Sequence, residues 1–350
     1  QDGRALFDRE GILDGQTAWQ SVGGMQLGSI WGHGGYVEPD WSADWLHRES
    51  MAWLELRARR EHSSAWVDLD RPRQDALKAQ LQEELRTNTH DAANGTLRVS
   101  NDRALAIANV AAHYLSLFSN DPATKALRET YAMRENTLAT VEQREALTAF
   151  FFWTAWATVT ERPGSSISYT SNWPYEPLVG NTPTKDQFIW TVFSVLFLIA
   201  GIGLLGWHYA TSHGEEMVPV LPKKDPLAAI KVTPSMRATA KYFWLVLALF
   251  LVQILLGAIT AHYQVEGQEA YGFALAEILP YSLTRTWHTQ LAVLWIATAW
   301  LGMGLYIGPA ISGHEPRFQR LGVNVLWTCL IVIVVGSFAG QWLAVMQKLG

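Results

Sequence analysis

The sequence predicts an all-α membrane protein in which a water-soluble N-terminal domain precedes a transmembrane helix bundle. Three observations carry this expectation. Most of the charge lies before Asp186. The apolar residues after it gather into four blocks of about 20 residues, long enough to cross a bilayer's hydrocarbon core. The basic residues fall into alternate connections between those blocks, as the topology of a multi-span chain requires.

The blocks are 187–208, 242–262, 286–311 and 321–345, which divides the chain into a soluble domain over 1–186 and a membrane part over 187–350. A fifth apolar stretch, 149–159 (AFFFWTAWATV), is too short to span and reads as a buried helix of the soluble domain. Segments 50–60, 74–86 and 104–118 mix charged and apolar residues at helical spacing, and Asp121-Pro122 has the form of a helix start. The stretch 162–183, with Pro163, Pro174, Pro177 and Pro183, reads as a linker over the membrane surface, where Trp173 and Tyr175 suit the interface.

The connection between the first two blocks holds Lys223, Lys224, Lys231, Arg237 and Lys241, and the one after the third holds Arg317 and Arg320. The intervening connection, 263–285, has Arg285 against Glu266, Glu269 and Glu277. The basic connections are therefore expected in the cytoplasm, and 263–285 and the soluble domain outside it. A domain on that side needs an export signal, so a signal or a helix ahead of Gln1 is expected.

Composition narrows the chemistry. The 350 residues carry 27 Lys and Arg against 32 Asp and Glu, a net charge of −5, with no basic stripe for a phosphate backbone. Nucleic acid is excluded as a partner; the lipid bilayer is included. The one cysteine, Cys329, forbids a disulfide within the chain and a Cys-x-x-Cys-His heme attachment, and reads as apolar packing.

Four histidines lie in or beside the blocks. His208 and His314 fall at cytoplasmic helix ends and receive no role. His288, in the first turn of the third block, is an ionisable group just inside the outer surface, costly there unless something uses it. It suits axial ligation of heme iron, with Arg285 one turn earlier to meet a heme propionate. An interfacial histidine bonded to a neighbouring helix fits the spacing equally well. His262 and Glu266, four residues apart, share a helical face and are able to take the two protons that a hydroquinone releases; an ordinary helix-end pair is the alternative. The loop 31–44 combines glycines, acids and aromatics, and its carbonyls suit calcium, although a loop that merely packs explains it as well.

Three separated motifs carry a resemblance: SIWGHGGYVEPDWSADWLHRE (29–49), NWPYEPLVGNTPT (172–184) and SLTRTWHTQLAVLWIATAWLGMGLYIGPAISGHEP (282–316). Together and in this order they closely resemble bacterial quinol-dependent nitric oxide reductase, of the heme-copper oxidase superfamily. The resemblance implies reduction of nitric oxide to nitrous oxide with electrons from quinol, passed through a low-spin heme b to a high-spin heme b and a non-heme iron. It implies that His288 is an axial ligand of the low-spin heme, that His262 and Glu266 bind quinol, and that backbone groups of Gly34 and Tyr36 help to hold calcium. It further implies that the soluble domain has a cytochrome c fold without heme c, in the periplasm of a bacterial inner membrane. No catalytic iron ligand is expected within this segment; those ligands, and the second ligand of the low-spin heme, are expected past Gly350. The chain would then be the half that takes electrons in, and a homodimer is left open. A transporter, or a heme-free membrane anchor with a partner-binding outer domain, is the competing reading.

Overall fold

The computed structural model describes residues 5–212, 223 and 230–348. Lys224, part of the topology argument, lies outside the described residues. The N-terminal part, called the outer domain for its place at one end of the helix bundle, begins with α1 (Arg9–Ser21), followed by a small hairpin of β1 (Ser29–Ile30) and β2 (His33–Gly34). Then come α2 (Trp41–His62), α3 (Arg71–Arg86), a second hairpin of β3 (His90–Asp91) and β4 (Thr96–Leu97), α4 (Asn101–Leu117), the short α5 (Lys125–Thr130) and α6 (Val141–Val159). The long apolar helices are α7 (Lys185–Ser212), α9 (Ala240–Glu266), α10 (Tyr281–Ser312) and α11 (Gln319–Val345), with the short α8 (Pro234–Ala238) leading into α9.

Local sequence explains where the outer helices start. Asp8, Asp40, Asp70 and Ser100 each accept a hydrogen bond from a first-turn amide of α1, α2, α3 and α4. Thr140 and Gln143 close a reciprocal capping box on α6. The expected buried helix over 149–159 is the C-terminal half of α6, which packs against α1, α2, α3 and α4. Segments 50–60, 74–86 and 104–118 fall on α2, α3 and α4 with small differences at the ends. Asp121-Pro122 opens a single 3-10 turn that runs on into α5.

The core between these helices is aromatic. Trp45 stacks on Tyr114 with centroids 5.3 Å apart, and Trp41 stacks on Phe151 at 5.4 Å. Helix α1, absent from the sequence reading, exists because Gly15 lets it lie directly on α6: a Cβ there would stand 2.0 Å from the Ala146 carbonyl oxygen. One ion pair is buried in this core. Arg103 Nε donates to Glu49 at 2.7 Å, and Trp45 Nε1 donates to the other oxygen of Glu49 at 2.9 Å.

The stretch 162–183 differs from its reading as a surface linker. Val179 and Asn181 are fully buried, Asn181 Nδ2 donates to the Thr158 carbonyl, and Glu176 pairs with His47. The prolines shape an irregular segment whose polar groups are met by the outer domain itself.

The outer part and the apolar helices meet end-on. The Tyr281 amide, at the start of α10, donates to the Ala132 carbonyl, and the Glu135 amide donates to Glu277 at 2.9 Å. Past the far end of α11, Gln347 bonds Ser21 and Gln143. At the opposite end, Lys241 Nζ donates to Asn324 at 2.6 Å and the Ser235 amide to Glu315. The outer domain and the connection 267–280 therefore share one end, and the described residues 234–241 and 315–324 share the other. Helix α7 stands apart: all its described side chains are exposed.

The Glu49–Arg103 pair yields a stability prediction. Glu49→Ala leaves a buried guanidinium without its counter-charge, a loss of about 3 to 5 kcal/mol. Replacing both partners by apolar residues, Glu49→Leu with Arg103→Met, should recover most of that loss. Chemical unfolding of the three proteins reads the result, and equal stability of the single and double variants contradicts it.

Candidate functional site

Helix α10 begins at Tyr281, with Pro280 before it, so His288 lies in its third turn and not its first. This depth brings it level with the middle of α9. His288 Nδ1 lies 3.0 Å from the Gln253 main-chain oxygen. A carbonyl only accepts, so Nδ1 must carry the hydrogen. The Nε2 atom of the neutral ring is left with its lone pair, and no group among the described residues hydrogen-bonds it. The ring rests on Gly257, where a Cβ would meet Cε1 at 2.8 Å and Nδ1 at 3.0 Å. A nitrogen donor fixed through its other nitrogen is the arrangement that metal-ligating histidines adopt, so these residues fit a heme iron.

Arg285, one turn toward the outer domain, is half-buried, and its Nη1 bonds the Gln26 side chain in the 3-10 turn Gly24–Gln26. The guanidinium stands at the seam between outer domain and bundle, tied on one side and with further donors remaining.

His262 and Glu266 are brought together as the spacing required, because α9 runs unbroken to Glu266. The His262 Nδ1–Glu266 contact is made, and each side chain is about half exposed. With Ala270 and Tyr271 they line an open cavity of about 530 Å³, and the Tyr271 ring stands edge-on to the imidazole. The pair therefore offers two adjoining proton acceptors to a molecule arriving from outside the protein.

The loop 31–44 is more ordered than its composition suggested. Gly34 belongs to β2 and pairs with Ser29; Trp41–Asp44 is already the first turn of α2; the Tyr36 side chain points outward. Among the described residues no cluster of three His, Cys, Asp or Glu side chains stands ready for a metal. The loop does hold one hard donor. Glu38 is 2% exposed; one carboxylate oxygen accepts the Gly28 amide and the other, Oε1, has no partner among the described residues. Burial, opposed by hydrogen bonds from its own and the Gly28 amides and by the charge of Arg285, pushes its pKa up to about 8. An unpartnered carboxylate oxygen is donor chemistry that suits calcium.

Sequence reading missed Gln253, Gly257, Gln26 and Glu38. Gln253 left a trace as a single amide in an otherwise apolar block, and Glu38 as one of the acids of the loop 31–44.

Fold and site together define an integral membrane protein whose helical outer domain is seated on the end of the bundle that bears His288. Residues 1–175 match the family model of the cytochrome c-like domain of NorB, a subunit of nitric oxide reductase, and residues 237–349 match that of cytochrome c and quinol oxidase polypeptide I. The same subunit of the nitric oxide reductase from Stutzerimonas stutzeri is 32% identical over 92 residues, which are 26% of this chain and 18% of that protein's length. The chain belongs to the NorB family of nitric oxide reductase, within which the expected all-α fold and cytochrome c-like outer domain both hold.

Glu38 provides the pH test. In calcium-free protein the folded state keeps this proton up to about pH 8, whereas the unfolded chain releases it near its ordinary value of 4.5. Stability contributed by the site is therefore present at acid pH and is lost as pH rises through that window. Glu38→Gln cannot ionise, so its unfolding midpoint should fall less than that of the parent between pH 5 and pH 8. Identical slopes contradict the assignment.

Proposed function

We propose that this chain takes electrons from quinol and delivers them, through a low-spin heme b, to a nitric oxide-reducing center. The observation that supports it best is the His288 ring, fixed by Nδ1 on the Gln253 carbonyl with Nε2 open. Bound there, a low-spin heme b would supply one-electron transfer toward a high-spin heme b and a non-heme iron, the chemistry needed to turn two nitric oxide molecules, two electrons and two protons into nitrous oxide and water. No catalytic iron ligand is assigned to this chain.

The residues of the chain do the binding and the proton handling. His288 would hold the iron, and Arg285 would direct its remaining donors to a propionate. A quinol at the His262–Glu266 cavity donates its hydroxyl hydrogens to the imidazole and the carboxylate, which take the protons as the quinol is oxidised. Both groups sit at the end of α9 nearest the outer domain, half-exposed beside this cavity, which is the access that a lipid-soluble quinol needs. Calcium, held by Gly34 and Tyr36 carbonyls, would tie the loop, and Glu38 offers a carboxylate oxygen to it. The outer domain works without a thioether-linked heme, a reading supported by Cys329 of α11 being the one cysteine in the sequence. The orientation with the outer domain in the periplasm of a bacterial inner membrane follows from the basic connections, and the outer domain lies at the opposite end of the bundle from Lys241 and Glu315.

Three experiments test this. His288→Ala should abolish the low-spin heme signal in reduced-minus-oxidised spectra of protein that still inserts; an unchanged signal would falsify the ligand assignment. Glu266→Gln keeps the shape and removes the base, so turnover with quinol should slow by about 10²-fold or more. Turnover with an artificial donor to the heme should stay near normal, and parent-like turnover of quinol reduces the pair to a helix-end contact. In a Cys329→Ser background, cysteines placed at Lys231 and at Glu277 should label from opposite sides of the membrane, and same-side labelling overturns the orientation.

A further inference from the structure

A glutamine inside an apolar span is costly unless its amide is bonded on both sides, and Gln253 is so bonded. Its Nε2 donates to the His288 main-chain oxygen at 3.3 Å, and its Oε1 accepts from Trp295 Nε1 at 2.6 Å. Its own main-chain oxygen accepts from His288 Nδ1. Gln253 thus meets α10 at three points, two of them on His288 and the third on Trp295, two turns further along the same helix. Four residues on, one turn along the same face of α9, Gly257 gives the imidazole ring its seat. The Trp295 ring is held in turn by Phe250, edge-on at 5.5 Å.

We propose that Gln253 and Gly257 form a socket on α9 that fixes the ring plane and the tautomer of His288, and so act as positioning residues that tune its bond to iron. This rests on the reading of His288 as a heme ligand. A ring nitrogen that donates to a carbonyl is a stronger base at the other nitrogen, and outer-shell partners of metal-binding histidines typically matter by about 10- to 100-fold in affinity or activity. The main-chain carbonyl cannot be deleted, but its placement depends on the Gln253 amide clasping α10 and on the absence of a side chain at residue 257. A Cβ at Gly257 must push the ring away, because its contacts are the ring atoms themselves and the ring is already bonded on that side.

The test uses the full-length protein in membranes and four variants. Gln253→Met keeps the volume and removes both amide bonds. Gly257→Ala adds the single carbon. Gly304→Ala is the control for glycine replacement within a span, since a Cβ there meets nothing within 4 Å. His288→Ala tests the underlying reading. The readouts are the redox midpoint of the low-spin heme, the electron paramagnetic resonance of its oxidised form, and its retention on dilution. Gln253→Met and Gly257→Ala should insert normally, shift the midpoint and the resonance, and release the heme about 10- to 100-fold more readily; Gly304→Ala should match the parent. If His288→Ala abolishes the low-spin heme while Gln253→Met and Gly257→Ala leave the midpoint, resonance and retention unchanged, the socket is refuted and the ligand stands. If His288→Ala leaves the heme in place, the ligand assignment itself fails. Should Gly257→Ala fail to accumulate, Gln253→Met decides alone, because it adds no bulk against the ring.

Discussion

The membrane half of the protein depends on the close approach of α9 and α10. In hydrocarbon the helices gain little by burying apolar surface against each other, so packing and hydrogen bonds between them carry the association. Both converge on one place here. Gly257 allows the helices to come together, and His288 fills the space that its missing side chain leaves. The Gln253 amide then bonds α10 at two points. The residue best suited to ligate iron is therefore also the residue on which the two helices register.

The outer domain uses a different physics. Its aromatic rings and the Glu49–Arg103 pair are buried in one core, and its helix ends are satisfied locally by short polar side chains. What it presents to the bundle is the tight turn around Gly23–Gln26 and the hairpin after it. Gly23 lies against Ser282, Gly35 lies against Tyr281, and Gln26 reaches Arg285. Glycine is needed at 23 on two counts, since its φ is +123° and a Cβ there would stand 2.9 Å from Ser282. The first turn of α10 is thus capped by folded protein, which places Arg285 and, one turn deeper, His288 beneath the outer domain.

What was legible in the sequence was what depends on neighbours along the chain. The four apolar helices, the basic connections, the His262–Glu266 pair and the buried half of α6 all follow from periods of three to four residues or from composition. Helix ends were less legible: α10 extends five residues ahead of the apolar block because Tyr281, Ser282, Leu283 and Thr284 are buried against folded protein at the seam. Helix α1 was missed because Gly11 and Gly15 weaken a helix in isolation, and only contact with α6 shows why Gly15 is there. The stretch 162–183 looked like a linker because its prolines break regular structure, while the partners of Asn181 and Glu176 lie far away in sequence. Gln253 and His288 are separated by 35 positions, and no local pattern joins them.

In the proposed function His288 offers Nε2 to heme iron while Nδ1 stays on the α9 backbone. A high-resolution cryo-electron microscopy map of the protein purified from its membrane tests this directly. The expected map has density for a heme whose iron is bonded to His288 Nε2, with Nδ1 still within hydrogen-bond distance of the Gln253 carbonyl. A map in which the His288 ring meets no iron, with the heme held by other side chains, would contradict it.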